Sequence, residues 1–288
     1  GWPITPGFED AGVVDALGPG VAEQTDWRPG DPVMGVSFFG AYASHVFVEP
    51  AYLFARPAGF SAAEAAAFPS VWMTAWFALC ELAHPRPGQR LLLHSAAGGV
   101  GCAVSQLAKI LDCEVTGVVG RREKVDIARR FGCDHVICKA EHDLWTEAER
   151  ISPDGFHVIL DGNGVATLRQ SWRHLAAPGK LVTFGFSSML PVGASRPNWL
   201  KLAWDLLRTP RFSPLEMTNR NRSALSFNLS YLFDQRALLA EAMTQLLAWV
   251  EEGRIRPHPT HTFPLADAPA AHRALQSGTT TGKLLLVP

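Results

Sequence analysis

Between residues 88 and 111 the chain passes from a solid apolar run through a glycine-rich turn into a helix. No other passage limits the fold as much. Leu91-Leu92-Leu93 shows no polar alternation, as a strand buried on both faces requires. His94-Ser95-Ala96-Ala97-Gly98-Gly99-Val100-Gly101 follows, and Val100, Val104, Leu107, Ala108 and Leu111 then recur at helical spacing. The alternation continues downstream. Glu114–Val119, His135–Ile137, Phe156–Leu160, Lys180–Phe184 and Ala224–Leu229 read as strands, with helices over Lys124–Phe131 and Ala166–Leu175. Strands and helices in turn imply an α/β fold, a doubly wound Rossmann parallel sheet.

The flanks differ. Up to about residue 60 the chain reads as β-rich, with short apolar stretches at Ala11–Ala16, Pro32–Val36 and His45–Val48 between glycine and proline punctuation. Ser61, with Glu64 three residues on, makes a capping box before an alanine-rich helix. Residues 197–208 hold an aromatic and leucine-rich stretch from Pro197 through Trp199 and Trp204. Arg236–Glu252 reads as a long amphipathic helix stopped by Gly253, and Leu284–Val287 as a last strand. Three segments follow: 1–71, 72–232 as the nucleotide-binding domain, and 233–288.

Composition excludes more than it selects. A formal net charge of −1, with the cations spread along the chain, gives no basis for nucleic-acid binding. Five cysteines without a CxxC pair suit a reduced, cytoplasmic protein. No 18-residue apolar run and no signal-peptide pattern occur. The abrupt opening, Gly1-Trp2-Pro3, has the look of a fragment or a processed product.

The chemistry sits in the turn. Ala96, Gly98 and Gly101 form an A-x-G-x-x-G variant of the dinucleotide fingerprint, placed between a strand and a helix as the motif demands. Ala96 takes the tight-turn position. Gly98 lets backbone approach a pyrophosphate, and Gly101 lets the helix close on the strand. The helix start then offers N–H groups and a positive dipole end to phosphate. The second strand ends Val119-Gly120-Arg121-Arg122-Glu123-Lys124. No acid stands at its tip to hold a ribose 2′-hydroxyl. The three cations suit a 2′-phosphate, and so NADPH; Glu123 opposes one. None of Tyr42, Tyr52 and Tyr231 has a lysine four residues on, and there is no GxSxG elbow. His258 and His261, with Pro259 between, lack a third metal ligand nearby.

Several segments together resemble the medium-chain dehydrogenases/reductases. Pro6-Gly7-Phe8-Glu9 with Ala11-Gly12-Val13-Val14 resembles their PG-x-E-x-AG-x-V segment, and Arg28-Pro29-Gly30-Asp31-Pro32-Val33 their RxGDxV turn. Met73-Thr74-Ala75-Trp76, Ala96–Gly101, Asp161 with Gly162 and Gly164, and Gly282-Lys283 also fit, over nearly the whole chain. Within that family the chain is similar to the quinone oxidoreductases, and nearest to the vesicle amine transport protein homologues through Ile151–Gly155, Gly179–Gly185, Phe227–Leu232 and Gly253–His258. The resemblance implies a GroES-like β-barrel domain from residues 1–71 and 233–288, lacking about half a barrel upstream of Pro6. It implies no zinc: Phe8 stands where zinc-dependent members carry a ligand histidine, and their four-cysteine lobe is missing.

By the same resemblance Thr74 and the loop Ala97, Gly98, Gly99 and Val100 lie against the cofactor, and Gly120 and Lys124, with Arg121, hold its adenosine end. Lys139 stands where relatives often carry a tyrosine near the 2′-phosphate; Phe184, Gly185, Phe227 and Leu229 are expected near the nicotinamide. The implied activity is zinc-free hydride transfer to a quinone or α,β-unsaturated carbonyl, an enoyl thioester differing only in acceptor. Such a site needs no dedicated acid, and no catalytic residue is assigned; Tyr42 reads as barrel packing. The rival is a nucleotide-binding, membrane-peripheral or scaffold protein with little turnover, which the Trp199/Trp204 stretch and the lost upstream segment favour; membrane contact is the less favoured of the two readings. Relatives commonly form homodimers through an edge strand, here Ser223–Leu229.

Overall fold

The structure, a computed structural model, describes residues 3–189 and 198–288. Gly1, Trp2 and Pro197 lie outside the described residues. The chain forms two compact units: one of residues 74–228 and 276–281, the other of residues 1–73, 229–275 and 282–288.

The smaller unit opens with β1 (Glu9–Val13) and β2 (Pro32–Val36), paired antiparallel, and β3 (Leu53–Ala55) closes a three-stranded sheet in the order β1-β2-β3. His45–Val48 is not a strand as its pattern suggested. Both edges of β2 are already taken, and Phe47 is left fully exposed. α1 (Ala62–Ala66) starts at the expected capping box: Ser61 and Glu64 exchange side-chain and backbone bonds. α2 (Pro69–Trp76) runs on into the larger unit. Glu9 ties this unit together, accepting the Ser70 N–H at 2.8 Å and pairing with Lys283. That accounts for two of the motif residues, the Glu of the opening segment and the Lys near the end.

The larger unit holds β4 (Arg90–His94), α3 (Gly99–Ile110), β5 (Glu114–Val119), α4 (Val125–Arg130), β6 (His135–Cys138), α5 (Leu144–Ile151), β7 (Phe156–Asp161), α6 (Leu168–Arg173) and β8 (Leu175–Thr183). Then come α7 (Trp199–Arg208), α8 (Pro214–Arg220) and β9 (Arg222–Ser226). Its six strands pair parallel throughout, in the order β6-β5-β4-β7-β8-β9. This is the doubly wound order, with the chain reversing direction between β4 and β7. Alternate residues of each strand feed opposite cores. Leu92, Ile159 and Leu181 meet Leu144, Ala148, Leu168 and Trp172 from α5 and α6, while α3 buries Val104 and Leu107. A buried Leu side chain contributes roughly 1.5–3 kcal/mol, so the apolar runs hold the sheet with little help from polar contacts.

The smaller unit resumes after β9 with α9 (Arg236–Glu251), β10 (Thr260–Pro264), α10 (Ala268–Gln276) and β11 (Lys283–Val287). β10 and β11 pair parallel. α9 ends at Glu251 with Glu252 as its C-cap, and Gly253 follows in the left-handed region, φ 69°.

Candidate functional site

Parallel pairing brings the loop after every strand of the larger sheet to one rim, and nearly all the expected cofactor residues stand there. Ala97 through Val100 follow β4, Gly120, Arg121 and Lys124 follow β5, and Lys139 follows β6. Phe184 and Gly185 follow β8, and Phe227 follows β9. Thr74 lies on α2, half-buried. Leu229 belongs to the other unit, where it opens a short turn through Tyr231.

The turn after β4 is built from backbone. Ser95 takes a left-handed conformation, φ 58°, and accepts the Gly98 N–H at 3.0 Å, while the Ala96 N–H reaches Val118 O across to β5 at 3.0 Å. Gly101 is required sterically: a Cβ there would meet Ser95 O and lie 2.7 Å from both the carbonyl carbon and Cα of Ala96. Gly98 is different. Its backbone is extended, φ −83°, and a Cβ would come within 3.3 Å of Ser95 O only. A Cβ at Gly98 thus meets a single backbone atom, against three much closer ones at Gly101, so packing demands its bareness far less. Gly98 is also the N-cap of α3 and no side chain caps that terminus. The first-turn N–H groups, which have no partner within a helix, therefore face outward with the positive end of the dipole.

Beside it, the tip of β5 carries cations in unequal states. Arg122 is engaged with Glu141 at 3.3 Å. Arg121 and Lys124 have no carboxylate at ion-pair distance among the described residues. Partial burial and then the neighbouring Arg121 hold the Lys124 ammonium below its ordinary range. Arg121 and Lys124 keep a net positive charge here despite Glu123 between them, and an anion between these two side chains would relieve it. A Cβ on Gly120 would meet nothing within 4 Å, which leaves the strand tip open.

Sequence reasoning missed the polar network beneath these loops. Asp161, at the end of β7, is fully buried. It accepts the N–H groups of Asn163 (2.9 Å) and Gly164 (3.1 Å) and the hydroxyls of Thr167 (2.7 Å) and Ser171 (2.8 Å). His94, at the end of β4, reaches Ser171 Oγ through Nε2 at 3.1 Å. Burial lowers the His94 pKa and outweighs Asp161, 3.7 Å away, so the ring is neutral. Since Ser171 donates to Asp161, the His94 proton sits on Nε2; Nδ1, which has no partner, is the bare nitrogen. The network pins the loops after β4 and β7 on either side of the chain reversal, and Ser95 Oγ crosses between them to Asn163 at 3.3 Å. Its signal in the sequence was a polar residue ending each of two apolar runs, His94 after three leucines and Asp161 after Val158-Ile159-Leu160.

An aromatic wall stands at the same rim. Phe227 packs against Phe77 at 4.7 Å and Phe184 at 6.3 Å between ring centroids. Gly162 makes room for Phe184, whose ring would lie 2.9 Å from a Cβ there.

Four of the five cysteines are unsuited to act as nucleophiles. Burial pushes the thiols of Cys80 and Cys102 up to about 12 and those of Cys113 and Cys133 up to about 11, so all four stay protonated. Tyr42 lies against Gly7 and shares its hydroxyl with His272 Nε2 at 3.3 Å, a packing role. Phe8 sits among apolar rings, 4.8 Å from Phe39 and 6.5 Å from Phe38. Among the described residues no three His, Cys, Asp or Glu side chains converge to hold a metal.

Comparison with known proteins gives the family and the fold. The zinc-binding dehydrogenase family model matches residues 131–286. The synaptic vesicle membrane protein VAT-1 homolog of Danio rerio is 32% identical over 284 residues, covering 99% of this chain and 58% of that protein. The Homo sapiens homolog is 32% identical over 286 residues, covering 99% and 72%. This chain thus spans little more than half of the first relative. The structure of Escherichia coli quinone oxidoreductase complexed with NADPH superposes with a TM-score of 0.84 at 29% identity, over 100% of this chain and 83% of that one.

Proposed function

Since the chain belongs to the medium-chain dehydrogenases/reductases, on their quinone oxidoreductase side with the VAT-1 homologues, we propose that it is an NADPH-dependent oxidoreductase. We further assign it zinc-free reduction of a quinone or α,β-unsaturated carbonyl. The observation that carries the cofactor assignment is the uncapped α3 terminus beyond a glycine whose bareness packing demands far less than that of Gly101. That terminus would hold the pyrophosphate, and Arg121 and Lys124, with Lys139 beside them, the 2′-phosphate. Thr74, Phe184, Gly185, Phe227 and Leu229 would border the nicotinamide. When bound, NADPH supplies the hydride; the chain's residues bind, orient and exclude water. The phenylalanines around Phe8 support the zinc-free assignment, since they offer no donor atom.

NADPH oxidation followed at fixed protein concentration against a panel of quinones and enones tests this. Turnover that survives chelator and exceeds turnover with NADH supports it; binding of neither dinucleotide refutes it. We also infer a homodimer joined at β9, which among the described residues pairs only with β8 and leaves one edge open. A monomeric mass by light scattering contradicts that. A cytoplasmic setting accords with five cysteines that are all thiols.

One observation favours a second reading, a membrane-peripheral role. α7 is turned inside out: Asp205 is buried, while Trp199, Leu200, Trp204, Leu206 and Leu207 are each at least 59% exposed. With Lys201, Arg208 and Arg211 close by, such a face suits an anionic lipid surface. Co-sedimentation with phosphatidylserine vesicles that Trp199→Ser and Trp204→Ser abolish supports it, and no co-sedimentation discards it.

A further inference from the structure

Toward the opposite end of the larger sheet from the dinucleotide rim, a cavity of about 210 Å³ opens beside the starts of β4 and β7 and the Pro178–Lys180 stretch of β8. Along β4 and β7, of five and six residues, the two ends lie roughly 15–20 Å apart, so the two sites do not overlap. Its side chains include four bases, His84, Arg86, His157 and Lys180, with the amides of Gln89 and Asn221 and the hydroxyl of Ser223. Among the described residues no aspartate or glutamate lines it. The neighbouring Asp154 is paired with Arg90 at 3.8 Å, outside the lining.

Two of the bases are held in place. Lys180 projects from β8 and donates to the Ala83 carbonyl at 2.5 Å, which leaves two ammonium hydrogens for another acceptor. His157 Nδ1 accepts the Arg90 N–H at 3.2 Å, so the neutral ring carries its proton on Nε2, as a donor. A lysine within a buried parallel strand costs stability unless something uses its charge. Here two fixed donors with His84 and Arg86 beside them, and among the described residues no carboxylate, converge on one small space.

We infer that this cavity binds a compact oxyanion of the phosphate class, separately from any dinucleotide. The cavity is smaller than the roughly 300–1,000 Å³ of pockets for drug-sized ligands, which suits an ion or a small phosphorylated molecule. Charge-assisted bonds of about 1.5–3 kcal/mol each mean that losing one weakens binding about tenfold or more.

Calorimetric titration with inorganic phosphate, at ionic strength matched with chloride, tests the site on the whole protein. Wild type should bind phosphate. Arg86→Gln and Lys180→Met should bind it at least tenfold more weakly with unchanged circular dichroism, while Gly98→Asp, altered at the dinucleotide loop, should bind it as wild type does. If Lys180→Met fails to fold, Arg86→Gln alone decides, because Arg86 is exposed. Absence of phosphate binding overturns the inference. So does binding that Gly98→Asp removes and the Arg86 variant retains, since the ion would then sit on α3. Because Gly98→Asp reports on the dinucleotide loop separately, failure here leaves the cofactor assignment untouched.

Discussion

Gly98 and Gly101 are three residues apart in one loop, yet they answer to different constraints, and alanine at each should separate binding from folding. At Gly101 a Cβ would lie 2.7 Å from two backbone atoms of Ala96 and closer still to Ser95 O. An ordinary contact begins near 3.4 Å, so α3 and the Ser95–Ala96 turn must part by at least about 0.7 Å or the turn is strained. Overpacking of this kind costs about 1–3 kcal/mol, and the better helix propensity of alanine returns at most about 1 kcal/mol. Gly101→Ala should therefore lose about 2 kcal/mol net, a fall in Tm of roughly 5 °C. At Gly98 the added methyl meets only Ser95 O, at 3.3 Å, in extended backbone. A weaker N-cap and a stiffer unfolded chain nearly cancel, leaving stability within about 1 kcal/mol. The methyl does occupy the space through which phosphate would approach the N–H groups. Loss of one or two charge-assisted bonds costs about 3 kcal/mol, roughly a hundredfold in Kd. Thermal denaturation without ligand and NADPH fluorescence titration, run on both variants, read the two effects. If Gly98→Ala binds NADPH as wild type does, or destabilises the protein as much as Gly101→Ala, the division of labour is wrong.

Replacing Arg121 and Lys124 together by Gln should weaken NADPH at least tenfold and leave NADH within about twofold, because only the former presents the 2′-phosphate; parallel titrations decide, and equal losses refute the cation argument. Asp161→Ala should cost about 3 kcal/mol in urea unfolding, since Thr167, Ser171 and two N–H groups lose their acceptor inside the protein; a loss under about 1 kcal/mol would show the network to be dispensable. Acid should destabilise the protein through His258, which is stacked on Trp72 at 5.2 Å and held by burial down to about 3. The unfolded chain takes up that proton first, so stability is full above about pH 6.5 and falls by about 1.4 kcal/mol per pH unit toward pH 3; His94, also lowered by burial, acts in the same direction. His258→Phe should flatten that slope, and an unchanged pH profile would remove His258 from the account.

Read along the chain, period and punctuation placed most elements of the larger unit. Strand β5 and helix α9 fall at or within a residue of their expected limits because an unbroken apolar run and a long amphipathic stretch are local signals. Strand β8 was read too short, since Leu175–Gly179 contains Pro178 and Gly179, and only its partners β7 and β9 show that the strand begins at Leu175. α5, α8, α10 and β10 went unread, being short elements whose faces are set by what they pack against. In the candidate site, the glycine loop and the cations of Arg121 and Lys124 were legible as types at fixed spacing. That Arg122 is spent on Glu141 was not, because the partner lies 19 residues away.

What the amino-acid order determined alone is therefore the local chemistry: which segments are strand or helix, where the backbone must be bare, and which charges follow it. Tertiary structure decided what those groups are free to do. It set the order of the six strands, which gathers distant loops on one rim. It buried Asp161 and His94 together across 67 residues of sequence, and it turned the apolar side of α7 toward water. Propensity acts over a few residues, whereas burial and pairing depend on neighbours that only the folded chain supplies.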